Sequence, residues 1–228
     1  DMWEEKAGVF SSTVSTVISA LESAAGFARV FYDSERQELL ANASIEMKKA
    51  MLARLYDTKA HRFKKAIYLS GIDDMTVDSS VSLTFITGTF SAFSEEVRNS
   101  MNSVIDKLWI KTNTGGIARY ENDNYYRVAK ELPGNPWFIC TLWLARWYIA
   151  TALSLEDLNR GLNLLNWTSK HATPSGMLAE QIDPLTGNPL SVSPLVWSHA
   201  EFVLAVCEYI EKLNDLSLIH ENGSQMRK

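Results

Sequence analysis

Three stretches of the 228-residue chain combine residue types that can do chemistry. The first is Trp3-Glu4-Glu5, two adjacent carboxylates behind a large aromatic ring. The second is Gly176-Met177-Leu178-Ala179-Glu180-Gln181, where one carboxylate stands among apolar neighbours ahead of the turn Asp183-Pro184-Leu185-Thr186-Gly187-Asn188. The third is Gly115-Gly116-Ile117-Ala118-Arg119-Tyr120-Glu121-Asn122-Asp123, leading to Gly134-Asn135-Pro136-Trp137. A carboxylate in a partly apolar loop can serve as a positioned acid or base with a tuned pKa. Arg beside Tyr, followed by Asn and Asp, offers fixed donors and acceptors for hydroxyl groups. Aromatic faces stack on the apolar face of a pyranose ring. Two carboxylates from different loops, with these rings and donors, suit a sugar. Taken singly, each has a plainer reading: Glu4 and Glu5 as a charged helix N-terminus, Glu180 as a solvated loop charge.

Composition narrows the alternatives. Lys and Arg number 22 against 27 Asp and Glu, for a net charge of −5. An acidic chain without a long basic run is not expected to bind nucleic acid or an anionic membrane. No run of 18 or more apolar residues is present, so no transmembrane helix is expected. The chain carries 7 Trp, 8 Tyr and 9 Phe, and several Trp lie beside Glu, Arg or Gly-Asn-Pro segments rather than within helices, as stacking surfaces would. No phosphate loop, nucleotide fingerprint or metal-ligand spacing competes. Cys140 and Cys207 sit in apolar helical patterns and read as buried free thiols, with no disulfide framework or metal cluster.

The elements that must position these residues read as seven helices. They cover 9–32, 34–56 (opened by a capping box at Ser34-Glu35-Arg36-Gln37), 79–90, a segment capped by Ser94 and reaching Leu108, 135–153, a segment opened by Ser154 and Asp157, and 193–213. A strand-like segment covers 65–69. Asn135-Pro136 reads as an N-cap followed by Pro at the first helical position. The second, fourth and sixth helices are amphipathic, whereas the first, third and fifth are apolar almost all round and should be buried on most sides. Inner and outer helices taken in turn suggest a two-layer α/α toroid. Long polar loops at 1–8, 70–78, 112–135 and 174–193 precede the odd helices, where a site would be built.

These motifs resemble glycoside hydrolase family 15, the glucoamylases and their relatives. The matching stretches are Asp1-Met2-Trp3-Glu4-Glu5, Arg119-Tyr120-Glu121-Asn122-Asp123-Asn124-Tyr125-Tyr126, Gly134-Asn135-Pro136-Trp137-Phe138-Ile139-Cys140-Thr141-Leu142 and Leu178-Ala179-Glu180-Gln181. Pro194-Leu195-Val196-Trp197-Ser198-His199-Ala200 looks like the version in archaeal and bacterial members. The resemblance implies an all-α (α/α)6 toroid and an inverting mechanism. Glu4 matches the family's general acid and Glu180 its general base. Glu5 matches a carboxylate that binds sugar hydroxyls. Trp3, Arg119 and Trp137 match residues of the glucose pocket, Trp197 lies near the base, Tyr120 is either packing or pocket, and Asp78 reads as an N-cap. An inverting pair leaves room for a water, with its carboxyl groups roughly 6.5–9.5 Å apart.

The expected activity is that of an exo-acting α-glucosidase releasing glucose from the non-reducing ends of α-1,4-glucans, with an α-glucan or α-glucoside as substrate. An α,α-trehalase is the second reading within the family and an α-1,6-acting glucodextranase the third. A non-catalytic glucan-binding or regulatory toroid is the alternative from another class, against which both carboxylates speak. The mechanism calls for no metal or cofactor. A complete barrel has twelve helices and seven are read here, so residues 1–228 are expected to be the C-terminal part of the catalytic domain, helices six to twelve. The missing N-terminal half would then be its partner, packed on an apolar flank. The cysteines and the prokaryote-like motifs point to the cytoplasm.

Overall fold

The structure, a computed structural model, describes residues 1–225, with side-chain burial through residue 218. Contacts divide the chain into two compact units, residues 1–103 and the residues from 104 onward. Seven α-helices carry most of the described residues. Nine short strands are interleaved with them, which corrects the all-α expectation to a mostly helical one. No described helix is long and apolar enough to cross a membrane.

The first unit opens with β1 (Gly8–Phe10), α1 (Ser11–Val30) and α2 (Ser34–Leu55). Asp33 caps α2 by accepting from the Arg36 N–H at 3.1 Å, so the cap lies one residue before the expected Ser34. The hairpin β2 (Tyr56–Asp57) and β3 (Arg62–Phe63) leads to β4 (Ala66–Tyr68) and β5 (Asp73–Asp74). Strands β1, β4 and β5 form one antiparallel sheet, with Gly8 opposite Tyr68 and Ala66 opposite Asp74. The helix expected over 79–90 is instead a 3-10 turn, Ser79–Ser82, running into a single turn, α3 (Leu83–Ile86). The Thr87 hydroxyl bonds back to the Leu83 carbonyl and Gly88, at φ 76°, turns the chain away. Helix α4 (Glu95–Leu108) opens as the sequence suggests, with the Ser94 hydroxyl accepting from Val97 N–H at 3.3 Å. Helix α1 departs from the reading that it is buried on most sides. Val17, Phe27 and Val30 are exposed, as are Phe31, Tyr32 and Leu39 around its junction with α2.

The second unit is built around α5 (Phe138–Thr151), reached through β6 (Ile117–Ala118) and β7 (Pro136–Trp137). Its apolar run buries residues on every side, from Phe138 to Ile149. Helix α6 (Leu155–His171) packs on it through Leu158 and Leu165, and starts at a true cap, Ser154 accepting from Asp157 N–H at 3.1 Å. Two further strands, β8 (Gln181–Ile182) and β9 (Pro189–Leu190), precede α7 (Val196–Gln225), which starts later and ends later than the 193–213 expected. Phe138, Leu178, Ala179 and Ile182 form one core cluster, and Leu142, Leu165 and Ala205 another. Fully burying one such Leu, Ile or Phe side chain contributes about 1.5–3 kcal/mol. Arg146 of α5 is held by Glu201 at 2.9 Å and Glu208 at 2.6 Å of α7. Burial alone would lower its pKa, but the hydrogen bonds it donates to Glu208 and Glu201, and the charges of those carboxylates, outweigh that, and the guanidinium is held above its usual value. Cys140 is buried as read; Cys207, on the outer side of α7, is exposed, which corrects that half of the expectation.

Gly116 makes one local requirement explicit. Its φ is 88°, and a Cβ there would lie 2.7 Å from the Trp167 ring and 2.8 Å from Pro136 Cβ. Gly116→Ala is therefore expected to destabilise the second unit by about 1–3 kcal/mol, the cost of a non-glycine residue held at such a conformation. Urea denaturation followed by Trp fluorescence measures it; an unchanged midpoint would contradict the packing described.

Candidate active site

Trp3, Glu4 and Glu5 lie in a turn ahead of β1, not in the first turn of a helix, since α1 begins only at Ser11. The helix-dipole reading of these carboxylates is thereby set aside. Glu4 N–H bonds to the Asp1 carbonyl at 3.3 Å and Glu5 N–H to Asp1 Oδ1 at 3.0 Å. Both Glu side chains are exposed, and Glu4 takes a φ of 59°. The Trp3 indole N–H lies between the two Asp78 oxygens, at 3.1 and 3.0 Å. Asp78 caps the 3-10 turn through Ser80 N–H at 2.8 Å, as read, and is paired with Lys65 at 3.0 Å.

The remaining candidates belong to the second unit, and a small sheet arranges most of them. Strands β6, β7, β8 and β9 run side by side, with Ala118 opposite Pro136, Trp137 opposite Gln181, and Gln181 opposite Leu190. Arg119 follows β6, Trp137 lies in β7, Glu180 precedes β8 and Ser191 follows β9. This sheet also corrects the expected fifth helix: Asn135 is not an N-cap, and Pro136 and Trp137 are strand residues. Asn135 instead bonds to the Tyr126 carbonyl and to Gln181 Oε1, each at 2.8 Å.

Arg119 is 4% exposed and forked onto Asp123, with Nε to Oδ2 at 2.9 Å and Nη2 to Oδ1 at 2.8 Å. Its guanidinium lies 4.6 Å from the Tyr120 ring centre, 5.0 Å from Trp137 and 5.3 Å from Tyr125. Such a cation among aromatic faces is attracted by their quadrupoles and fixed in place. Tyr120 is both packing and partner, its hydroxyl accepting from Arg119 Nη2 at 3.0 Å. The half-buried Glu180 carboxylate accepts from the Ser191 hydroxyl at 2.5 Å and from Gln181 Nε2 at 3.4 Å. Its main chain is fixed on both sides, from Glu180 N–H to the Val192 carbonyl at 2.9 Å and from Phe138 N–H to the Glu180 carbonyl at 3.3 Å. Trp197 packs edge-on against Trp143 at 5.9 Å.

The motif reading takes Asp123 as an acceptor for hydroxyl groups, whereas the structure has it accepting from Arg119 and Tyr125 N–H; Gln181 and Ser191 are given no role by it. The spacing of Asp123 from Arg119 could have suggested a pair. Nothing local marks Ser191, which reaches Glu180 only through the β8–β9 pairing. Among the described residues six non-glycine residues take a positive φ, and four of them, Glu4, Asn122, Tyr126 and Ser191, lie in the loops carrying these groups. Backbone held in that region concentrates at functional sites. No group of three or more His, Cys, Asp or Glu among the described residues is placed to hold a metal ion.

The sequence profile of glycosyl hydrolases family 15 matches residues 1–169 and 161–206. The chain belongs to glycosyl hydrolases family 15. An uncharacterized glycosyl hydrolase of Methanocaldococcus jannaschii is 30% identical to this family 15 chain over 218 residues, 91% of this chain and 34% of the relative. A trehalase of Mycolicibacterium smegmatis is 25% identical over 165 residues, 72% of this chain and 23% of the relative. The chain thus spans about a third or less of the length of these curated relatives. A bacterial glucoamylase solved in complex with acarbose superposes with a TM-score of 0.81 at 23% identity, covering 92% of this chain and 35% of that one. The glucoamylase of Saccharomycopsis fibuligera gives 0.77 at 19% identity, over 93% of this chain and 57% of that one. At these identities the likeness shows a shared fold, that of the α/α toroid glucoamylases.

Proposed function

We propose that this family 15 chain carries the catalytic carboxylates of an inverting, exo-acting α-glucosidase of glucoamylase type. Glu4 is the general acid that protonates the glycosidic oxygen as the bond breaks. Glu180 is the general base that takes a proton from the water attacking the anomeric carbon from the opposite face. Glu5, Trp3, Arg119, Tyr120 and Trp137 hold the glucose ring, with Trp197 behind the base. The observation that carries this reading is the Glu180 site: a carboxylate clamped by Ser191 and Gln181, on the same small sheet as a buried, forked Arg119 among three aromatic rings.

The chain acts, in this reading, as seven helices of a twelve-helix barrel, within a longer polypeptide whose preceding half completes the glucose pocket. It is placed in the cytoplasm, with an α-glucoside as its small-molecule partner and no metal or cofactor in the reaction. Likeness to the mycobacterial trehalase favours α,α-trehalose as the second substrate to consider. Glucose release from maltose, trehalose and isomaltose, measured side by side on the full-length polypeptide, decides between them. Maltose as the best substrate supports the glucoamylase reading, and trehalose alone replaces it. Residues 1–228 by themselves are expected to hydrolyse maltose weakly or not at all; normal turnover would overturn the proposed division of the barrel.

A further inference from the structure

The first unit holds a buried ion pair that the proposed reaction does not use. Lys65 and Asp78 meet at 3.0 Å with side chains 5% and 2% exposed. Taking two charges out of water is costly, and apolar residues of the same volume often serve stability as well. The pair is therefore read better from what Asp78 touches than from stability. Both its oxygens face the Trp3 indole N–H, and one of them also caps Ser80 N–H. Trp3 immediately precedes Glu4, whose backbone sits at a φ of 59°, where a side chain is disfavoured unless its neighbours hold it. On the other side of the two carboxylates, Lys6 Nζ bonds to the Tyr68 hydroxyl at 3.1 Å, and that hydroxyl in turn donates to Asp74. The turn is thus tied down at both ends, to side chains of the segment 65–78.

We propose that Asp78, oriented by Lys65, is the positioning residue for the Glu4–Glu5 turn and acts through the Trp3 indole. The Lys65 ammonium fixes the carboxylate in the orientation that meets the indole N–H with both oxygens. The bifurcated bond fixes the ring, and the ring fixes the backbone from which Glu4 and Glu5 project. The ion pair sets the geometry of the acid side of the site without touching the sugar. Its catalytic meaning rests on the role proposed for Glu4; its structural meaning does not.

Two layers of measurement test this. In 15N-labelled protein the Trp3 indole resonance, identified by its loss in Trp3→Phe, is expected to be protected from solvent exchange. The Glu4 HN–Hα coupling is expected to report a left-handed residue. Lys65→Met with Asp78→Asn removes both charges but keeps an acceptor, and should weaken both signals without abolishing them; signals fully preserved would remove Lys65 from the orienting role. Lys65→Met with Asp78→Ala removes the acceptor, and should lose both while α1 amides stay protected. In the full-length enzyme the Ala pair should lower kcat at least tenfold, and the Asn pair, which keeps the acceptor, should recover part of it. An unchanged indole and Glu4 signal in the Ala pair overturns the proposal. So does a lost signal with kcat unchanged. An inactive wild type, or full turnover in Glu4→Gln, would instead fail the acid–base reading and leave the indole and Glu4 signals to report on the positioning.

Discussion

Glu180→Gln in the full-length polypeptide lowers kcat by about 10²–10⁴-fold while sugar binding persists, as expected for loss of a general base. The substitution is nearly isosteric. The amide can still accept from Ser191 Oγ and keep its place beside Gln181, since both contacts are made to one oxygen, Oε2. The main-chain bonds to Val192 and Phe138 are untouched. What disappears is the capacity to take a proton from water. Initial rates on maltose, together with calorimetric titration of a glucose-like inhibitor, separate the two effects. Near-normal turnover would remove Glu180 from the role of base. Loss of binding in step with turnover would make it a sugar ligand instead.

Asp123→Asn destabilises the second unit by about 3–5 kcal/mol, because it leaves the Arg119 charge buried without its counterion. The side chains are 5% and 1% exposed, so water cannot take over the lost partner. Asp123 also accepts from Tyr125 N–H at 2.9 Å, which ties the loop bearing that ring to the same carboxylate. The double variant Arg119→Met with Asp123→Leu should be less destabilised than the single one, since no charge is then left uncompensated. Urea denaturation of the wild type, the single variant and the double variant measures the difference. A single variant within about 1 kcal/mol of the wild type would be far below the cost of an unpaired buried charge, and would mean that the pair is solvated in solution.

The parts of this molecule that were legible in its sequence are those governed by local rules. Ser94 and Ser154 cap α4 and α6 as their spacing suggests, and the unbroken apolar run of α5 is buried on all sides as read. Glu180 and Arg119 stand out as candidates because their residue types contrast with apolar or Gly-rich neighbours. Of the strands only β4 was legible, within the strand-like segment 65–69; the others are two or three residues long and carry no periodicity. Asn135-Pro136 has the residue types of a helix start, but non-local pairing wins: Ala118 and Gln181 claim Pro136 and Trp137 for a sheet. The anchors of the two carboxylate loops were invisible for a related reason. Asp78 lies 75 residues from Trp3, and Ser191 is brought to Glu180 only by a turn.

That turn, between β8 and β9, has a consequence for how this sequence can change with time. It is closed by Asp183, whose side chain accepts from Leu185 and Thr186 N–H at 2.8 and 3.0 Å, and by the bond from Asp183 N–H to the Asn188 carbonyl at 2.8 Å. Substitutions at its exposed positions leave the strand pairing as it is. An inserted or deleted residue slips the register by one and turns the neighbour of Ser191 toward Glu180 in its place. Divergent descendants that keep the serine clamp should therefore vary freely at the exposed positions 185 and 186, keep a glycine at 187 (φ 75°), and hardly vary at all in the number of residues in the turn.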